Sequence, residues 1–131
     1  MSLQRHPTIV SCVLALNVEP HKDGTITLHR CFEHLSIPRS PFVHKGFAAF
    51  LEFTDGRGKS EIVFRLVDAN EDLDPVTTFT LKMDFLDPTG RAIGAFTFRD
   101  IRFERAGPYR LQAWCGSELV LNKRLEVVVA Y

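Results

Sequence analysis

The strongest pattern in the sequence is a strict alternation of apolar and polar residues from Val76 to Phe85. Its apolar members are Phe79, Leu81, Met83 and Phe85, and threonine, lysine or aspartate stands between them. A period of two is typical of a β-strand that buries only one face. The segment therefore predicts a half-buried antiparallel strand.

Similar apolar runs predict seven further strands and a short ninth candidate. The seven are Ile9–Val18, Thr25–Phe32, Phe47–Phe53, Glu61–Val67, Ala95–Phe103, Tyr109–Cys115 and Leu125–Val129, and the short candidate is Leu119–Leu121. Turn-forming pairs such as Asp-Gly separate several of these runs, because both residues adopt the backbone angles that reverse a chain. No long stretch has a helical period, so we expect little or no helix.

Short strands that each have one apolar face need a second sheet against which to bury that face. The pattern therefore predicts an all-β fold, an immunoglobulin-like (Greek-key) antiparallel β-sandwich of about eight strands. The length of 131 residues fits a single domain that spans 1–131. Within it we expect 1–7 to be a flexible N-terminus.

Two segments depart from a regular strand pattern. Within Ala95–Phe103 the large apolar residues change parity, so we expect a β-bulge near Arg99-Asp100. The segment Leu35–Pro41 contains two prolines, which cannot donate hydrogen bonds to a sheet. This segment therefore predicts a crossover between the two sheets.

Charge and cysteine content narrow the classes of function. The chain has 16 Lys and Arg against 16 Asp and Glu, so its formal net charge is zero. Nucleic acids and anionic membranes bind surfaces with a surplus of positive charge, so we expect neither partner. No apolar run reaches the ~18–20 residues of a membrane span. The three cysteines are an odd number and lie far apart, which indicates reduced thiols in a cytoplasmic protein.

Two blocks of sequence resemble a known family. The first block is DGTITL at 23–28, CF at 31–32 and IP at 37–38, and the second is FE at 103–104, AGPYRL at 106–111 and GSEL at 116–119. Read together, they resemble a family of small bacterial and phage-associated proteins of unknown function. The second block also resembles the last strands of immunoglobulin-like domains. The resemblance implies an immunoglobulin-like fold in a bacterial cytoplasm and no assigned reaction.

Tyr109 stands just after a glycine turn, at the start of a predicted strand. In sandwich folds a tyrosine at such a place buries its ring while its hydroxyl bonds to the backbone upstream. This arrangement, the tyrosine corner, predicts a structural rather than a functional role for Tyr109.

The segment from His29 to His34 contains the best candidate zinc ligands. On a strand, His29 and Cys31 project from one face, and His34 follows in the chain. Imidazole and thiolate groups are common zinc ligands. The spacing matches no established zinc pattern, so an ordinary polar strand face with one small buried thiol is the alternative.

An acidic segment at 68–74 offers candidate calcium ligands. Asp68, Asp72 and Asp74 supply the hard oxygen donors that calcium prefers. The spacing is not that of an EF-hand, because Leu73 stands where such a loop needs glycine. A solvated loop without a metal is the alternative.

Phe50, Trp114, Arg99 and Arg102 are the candidate interface residues. Phe50 and Trp114 lie opposite the apolar parity of their strands, in a chain that has 11 phenylalanines. Large apolar side chains become anchors for a partner if they are exposed. Arg99 and Arg102 project outward if their apolar neighbours point inward, although nearby acidic residues offset much of their charge. Ordinary core packing and a mixed-charge solvent face are the alternatives.

Signatures of the common enzyme classes are missing. The sequence has no nucleophile elbow, no phosphate-binding glycine loop, no zinc-protease helix and no dinucleotide fingerprint. It therefore predicts a non-enzymatic binding or assembly module without a cofactor, which acts on a protein partner or forms a homo-oligomer. The alternative is a metal- or ligand-dependent domain with zinc at His29, Cys31 and His34 or calcium at 68–74.

Overall fold

The computed structural model, which describes residues 6–70, 75–86, 89 and 91–130, places the alternating segments in strands. These are β1 (Thr8–Pro20), β2 (Ile26–Cys31), β3 (His34–Ile37), β4 (Phe42–Thr54), β5 (Gly58–Asp68), β6 (Thr77–Phe85), β7 (Ala92–Phe103), β8 (Gly107–Cys115) and β9 (Glu118–Val129). The described residues contain no helix long and apolar enough to cross a membrane. Of the segment 1–7, for which we predicted flexibility, only His6 and Pro7 are described, and Pro7 is buried.

The strands form two sheets that pack face to face. The four-stranded sheet has the order β2-β1-β4-β7, and the five-stranded sheet has the order β3-β9-β8-β5-β6. Neighbouring strands are antiparallel except β3 and β9, which are parallel. The alternation predicted for β6 is confirmed, since its apolar side chains pack against the core and its polar ones are exposed.

Two strands differ from the prediction. Leu119–Leu121 and Leu125–Val129 belong to a single strand, β9, because its pairing with β8 continues through the polar residues between them. An irregularity at Ala113/Trp114 lets β9 absorb one extra residue without ending. The predicted crossover at Leu35–Pro41 does pass between the sheets, but its first part pairs with β9 as the edge strand β3.

The parity change predicted in β7 occurs at Arg99 and Asp100, but it is not a simple bulge. Asp100 has a φ of 53°, and Gly46, close by in β4, has a φ of 138°. The β4–β7 register is the same on both sides of this point, because both strands change parity together.

A hydrogen bond to His44 supports the backbone at Gly46. Burial lowers the pKa of His44, so its neutral Nδ1 can accept the Gly46 N–H at 2.9 Å.

The core between the sheets is built mainly from aromatic rings. Every phenylalanine except Phe50 belongs to this core or packs against it. Phe96 lies at its centre, with ring centroids 4.5 Å from Phe64, 4.6 Å from Phe79 and 5.0 Å from Phe98. The large number of phenylalanines, which suggested exposed anchors, is therefore explained mostly by the core.

The tyrosine corner is confirmed. The Tyr109 hydroxyl donates a hydrogen bond of 2.6 Å to the carbonyl oxygen of Arg105, four residues upstream. Its ring is 1% exposed and lies edge-on against Phe103, with centroids 5.1 Å apart. This bond fixes the turn that leads from β7 into β8.

Replacing Tyr109 with phenylalanine is expected to lower the free energy of unfolding by about 0.5–1.5 kcal/mol, the usual net value of one hydrogen bond. The ring contact with Phe103 is kept, so the loss reports the bond alone. Urea denaturation of both proteins at neutral pH measures it. An unchanged urea midpoint would show that the bond does not stabilise the folded state.

The same variant should change the response to alkaline pH. Burial, with a smaller effect of Asp68, raises the pKa of the Tyr109 phenol above its ordinary value of 10.0. A raised folded-state pKa gives stability that is present below the unfolded value and is lost as the pH rises through the folded value. The phenylalanine variant should lack this part of the loss.

Candidate functional site

The outer face of the four-stranded sheet has an uncharged centre. Val13, Phe50 and Ala95 lie opposite one another on β1, β4 and β7, so they form one row across the sheet. The next row on the same face consists of Ala15, Ala48 and Thr97. We call these six residues the uncharged patch. A contiguous apolar group of side chains on an exposed sheet face is typical of a surface that meets another protein.

Phe50 is the aromatic residue of this patch. It is half-buried by its neighbours, whereas all the other phenylalanines belong to the core cluster or pack against it. Ala15 and Ala48 are buried, at 0% and 1% exposure, and also lie outside that cluster. The patch therefore presents one large ring on a close-packed floor of small side chains.

Trp114 lies on the opposite side of the sandwich. It is half-buried on the outer face of the five-stranded sheet, where Val63 and Leu119 stand opposite it on β5 and β9. Its indole Nε1 is buried and has no hydrogen-bond partner. Because Phe50 and Trp114 are on different outer faces, they cannot belong to one flat interface.

The two outer faces differ in charge. On the five-stranded sheet, charged residues face each other across β5 and β6, as Lys59 with Asp84 and Glu61 with Lys82. No charged side chain belongs to the uncharged patch, and Glu52 on the adjoining row borders it. Charged groups are depleted at the centres of protein interfaces, so the four-stranded sheet offers the better binding surface.

The two candidate arginines border the same face as Phe50. Arg99 and Arg102 are both exposed on β7, opposite Gly46 and Val43 of β4. Arg102 Nε lies 2.5 Å from Glu104 Oε1, so its charge is offset locally. Three of the four interface candidates are therefore on one side of the sandwich.

The three candidate zinc ligands are not brought together. His29 Nε2 lies 2.8 Å from Glu19 Oε1 on the neighbouring strand. Arg30 has a φ of 55°, which interrupts the strand alternation that was to put His29 and Cys31 on one face. His34 begins β3 in the other sheet. Among the described residues, no group of three or more metal-binding side chains is close enough to hold an ion.

The acidic segment is only partly described. Asp72 and Asp74 lie outside the described residues. Asp68 Oδ1 accepts the N–H of Asn70 at 2.9 Å, and its Oδ2 lies 3.3 Å from Arg105 Nε. Both oxygens of Asp68 thus have partners within the protein, and the calcium hypothesis for the segment stays a prediction.

All three cysteines are free thiols. Burial raises the pKa of Cys12 to about 11 and also raises the pKa of Cys115. Both thiols are therefore protonated at neutral pH, and a protonated thiol is a poor nucleophile and a poor metal ligand. Cys31 is the exposed thiol.

Of the six patch residues, the sequence pattern indicated Phe50. The other five look ordinary in their own strands, and only the register of three strands brings them together. The signal that could have pointed to the patch is the run of alanines next to Phe50, because small residues leave a large neighbour prominent.

Comparison with solved structures shows the same fold in larger proteins. The β-glucosidase from Listeria innocua in complex with glucose matches with a TM-score of 0.55 and 13% identity, over 97% of this chain and 16% of that chain. The Beta-D-glucoside glucohydrolase from Trichoderma reesei matches with a TM-score of 0.50 and 8% identity, over 98% of this chain and 19% of that chain. The chain thus spans less than a fifth of either glycosidase, and at these identities the likeness shows the fold alone.

A protein smaller than these glycosidases matches this chain over its whole length. An immunoglobulin-like protein from Pseudomonas aeruginosa matches with a TM-score of 0.48 and 12% identity, over 97% of this chain and 100% of that chain.

No curated protein matches the sequence. The model of the Family of unknown function (DUF6941) matches residues 10–128. Two sheets and a tyrosine corner are features of an immunoglobulin-like sandwich, as predicted.

Proposed function

Since the chain belongs to DUF6941, a family of unknown function, we propose a function from its surface: a non-enzymatic module that binds a protein partner. The binding surface is the uncharged patch on the outer face of the four-stranded sheet. The position of Phe50, outside the core and at the centre of that face, is the observation that supports this most directly.

The arrangement resembles the centre of a protein interface in physical terms. Aromatic residues in a well-packed surround contribute most of the binding free energy in many complexes. Phe50 loses little conformational freedom on binding, because Val13 and Ala95 flank it on the neighbouring strands. The partner should present an apolar surface that can close over this ring.

The borders of the patch limit the charge of that partner. Arg99 is exposed at one side, whereas Glu104 offsets the charge of Arg102. The whole chain has a formal net charge of zero. Long-range attraction to a highly charged partner is therefore weak, and apolar contact at the patch has to supply most of the affinity.

Replacing Phe50 with serine is expected to weaken binding of the partner at least about ten-fold, equivalent to about 1.4 kcal/mol. The immobilised protein is exposed to an extract of the cells that make it. Proteins retained by the wild type are identified by mass spectrometry, purified, and titrated against each variant. Trp114→Ser, an aromatic-to-serine change on the opposite face, is the matched control and should bind like the wild type.

Thermal unfolding of both variants shows whether each remains folded. Equal affinity of the wild type and Phe50→Ser for the purified partner would overturn the proposal. A selective loss with Trp114→Ser would move the surface to the five-stranded sheet. Retention of no protein at all by the wild type would also count against it.

A further inference from the structure

The outermost strand of the four-stranded sheet, β7, has an open edge. On one side it pairs with β4 from Ala92 to Phe103, with a gap at Asp100. On its other side no strand of the described residues pairs with it. An open edge presents unpaired backbone N–H and C=O groups, which can pair with another strand.

The first half of this edge has none of the usual protection against pairing. From Ala92 to Phe98 the strand contains no charged residue and no proline. The φ of 53° at Asp100 interrupts the regular strand only after this stretch. Natural proteins usually blunt an edge with charges, prolines or bulges, so seven unprotected residues indicate an edge that is used.

The other three edge strands are protected. β2 contains Arg30 with a φ of 55°, and the His29 imidazole meets the Glu19 carboxylate beside it. β3 has only four residues. β6 is free of charge over only five residues, Thr77 to Leu81, before the exposed Lys82 and Asp84. β7 therefore has the longest charge-free stretch among the edges that the structure describes.

We propose that β7 pairs antiparallel with β7 of a second copy of this chain. A strand that meets its own copy about a twofold axis forms an isologous contact, which closes as a dimer. The pairing joins two four-stranded sheets into one of eight strands. This proposal goes beyond the partner-binding function and does not depend on it, because it uses the edge and not Phe50.

The charges at the two ends of the edge favour a particular register. If the twofold axis passes through Phe96, Ala92 of one copy stands opposite Asp100 of the other, next to Arg91. Arg91 and Asp100 have no ion-pair partner within the described part of the chain, so each can attract the other across the axis. An axis through Ala95 would instead set Arg91 against Arg99, which is repulsive.

In such a continuous eight-stranded sheet, the outer faces of the two four-stranded sheets lie on the same side. The two uncharged patches of such a dimer therefore lie side by side, one on each copy, with the paired β7 strands between them. A partner with two binding segments could engage both, and its apparent affinity would then exceed that of one patch.

Sedimentation velocity over a range of concentrations tests the dimer. The wild type should show a concentration-dependent dimer, and Thr97→Lys should raise its dissociation constant at least ten-fold. Thr97 is exposed on β7, so lysine there leaves the fold intact and places two charges near the axis. Thr80→Lys, the same change at an exposed position of β6, is the matched control and should dimerise like the wild type.

A wild type that stays monomeric, or equal dimerisation of the two lysine variants, would overturn the proposal. Thr97 also belongs to the uncharged patch, so Phe50→Ser is the variant that separates edge pairing from face-to-face contact. Loss of the dimer in Phe50→Ser would overturn the proposal by showing face-to-face contact. Failure of Phe50→Ser to release a partner, with the dimer unaffected, would remove only the proposed function.

Cysteine cross-linking tests the register independently of any effect on folding. In a Cys31→Ser background, which removes the exposed thiol, Ala95→Cys and Thr97→Cys proteins are mixed and oxidised. With the axis at Phe96, Ala95 faces Thr97 of the other copy, so the mixture should form the mixed disulfide in preference to either homodimer. No cross-linked dimer in any mixture would overturn the proposed pairing.

Discussion

Replacing Gly46 with alanine is expected to lower the free energy of unfolding by at least about 3 kcal/mol, and the thermal midpoint by roughly 10 °C. Gly46 has a φ of 138°, a conformation that other L-residues rarely adopt. A Cβ there would lie 2.1 Å from the carbonyl oxygen of Phe98, a backbone atom of the paired strand. Neither atom can move without separating β4 from β7. Urea denaturation followed by Trp114 fluorescence measures the loss.

Gly116→Ala separates the clash from the cost of a positive φ. Gly116 has a φ of 60°, and a Cβ there would meet nothing within 4 Å. This control should lose only about 1 kcal/mol, the usual cost of a side chain in the left-handed region. If Gly46→Ala lowered the free energy of unfolding no more than the control does, the two strands would not approach each other closely at Phe98.

Replacing Phe96 with alanine is expected to cost about 3–5 kcal/mol, the range for large aromatic truncations in a core. The ring is 6% exposed and contacts the rings of Phe64, Phe79 and Phe98. These rings come from both sheets, so the remaining cavity would lie where the sheets meet and could not collapse without moving one of them. The urea midpoint should fall with little change in the slope of the transition.

Phe50→Ala is the matched control, since it removes the same atoms from a ring outside the core. We expect it to lower the free energy of unfolding by less than half as much as Phe96→Ala does. Equal losses would make Phe50 part of the stabilising core, and would also remove the main observation behind the proposed binding surface.

Local patterns predicted the strands well because period-two alternation depends only on neighbouring residues and one sheet face. The strand at β6 illustrates this, since its alternation is visible in the sequence and matches its burial. The hydroxyl contact of Tyr109 was predictable for a similar reason, because its partner is only four residues away. The family of unknown function was also confirmed, whereas a bacterial cytoplasm stays a prediction.

Pairing between distant segments could not be predicted in the same way. The edge strand β3 joins β9 in parallel, about ninety positions later in the chain, and nothing in His34–Ile37 itself indicates that partner. The two halves of β9 looked separate because charged residues lie between Leu121 and Leu125. Those residues can continue the strand because one side of a sheet faces solvent.

The candidate site was predictable only in part, again because register decides it. Phe50 could be found from its parity within β4, but its neighbours Val13 and Ala95 come from strands far away in the sequence. The same parity argument selected Trp114, which the structure places on the opposite face. Parity within one strand shows that a side chain leaves the core, and the topology decides which surface it joins.

The shared change of parity in β4 and β7 couples the lengths of these two strands. Removing one residue near Gly46 alone would turn the inward side chains of half of β4 toward solvent, while β7 kept its own phase. Only a matching loss near Asp100 would restore the pairing of inward faces. An insertion or deletion at this position can therefore be tolerated only if it occurs in β4 and β7 together. The pairing of Gly46 with Arg99 thus limits how the length of either strand can change.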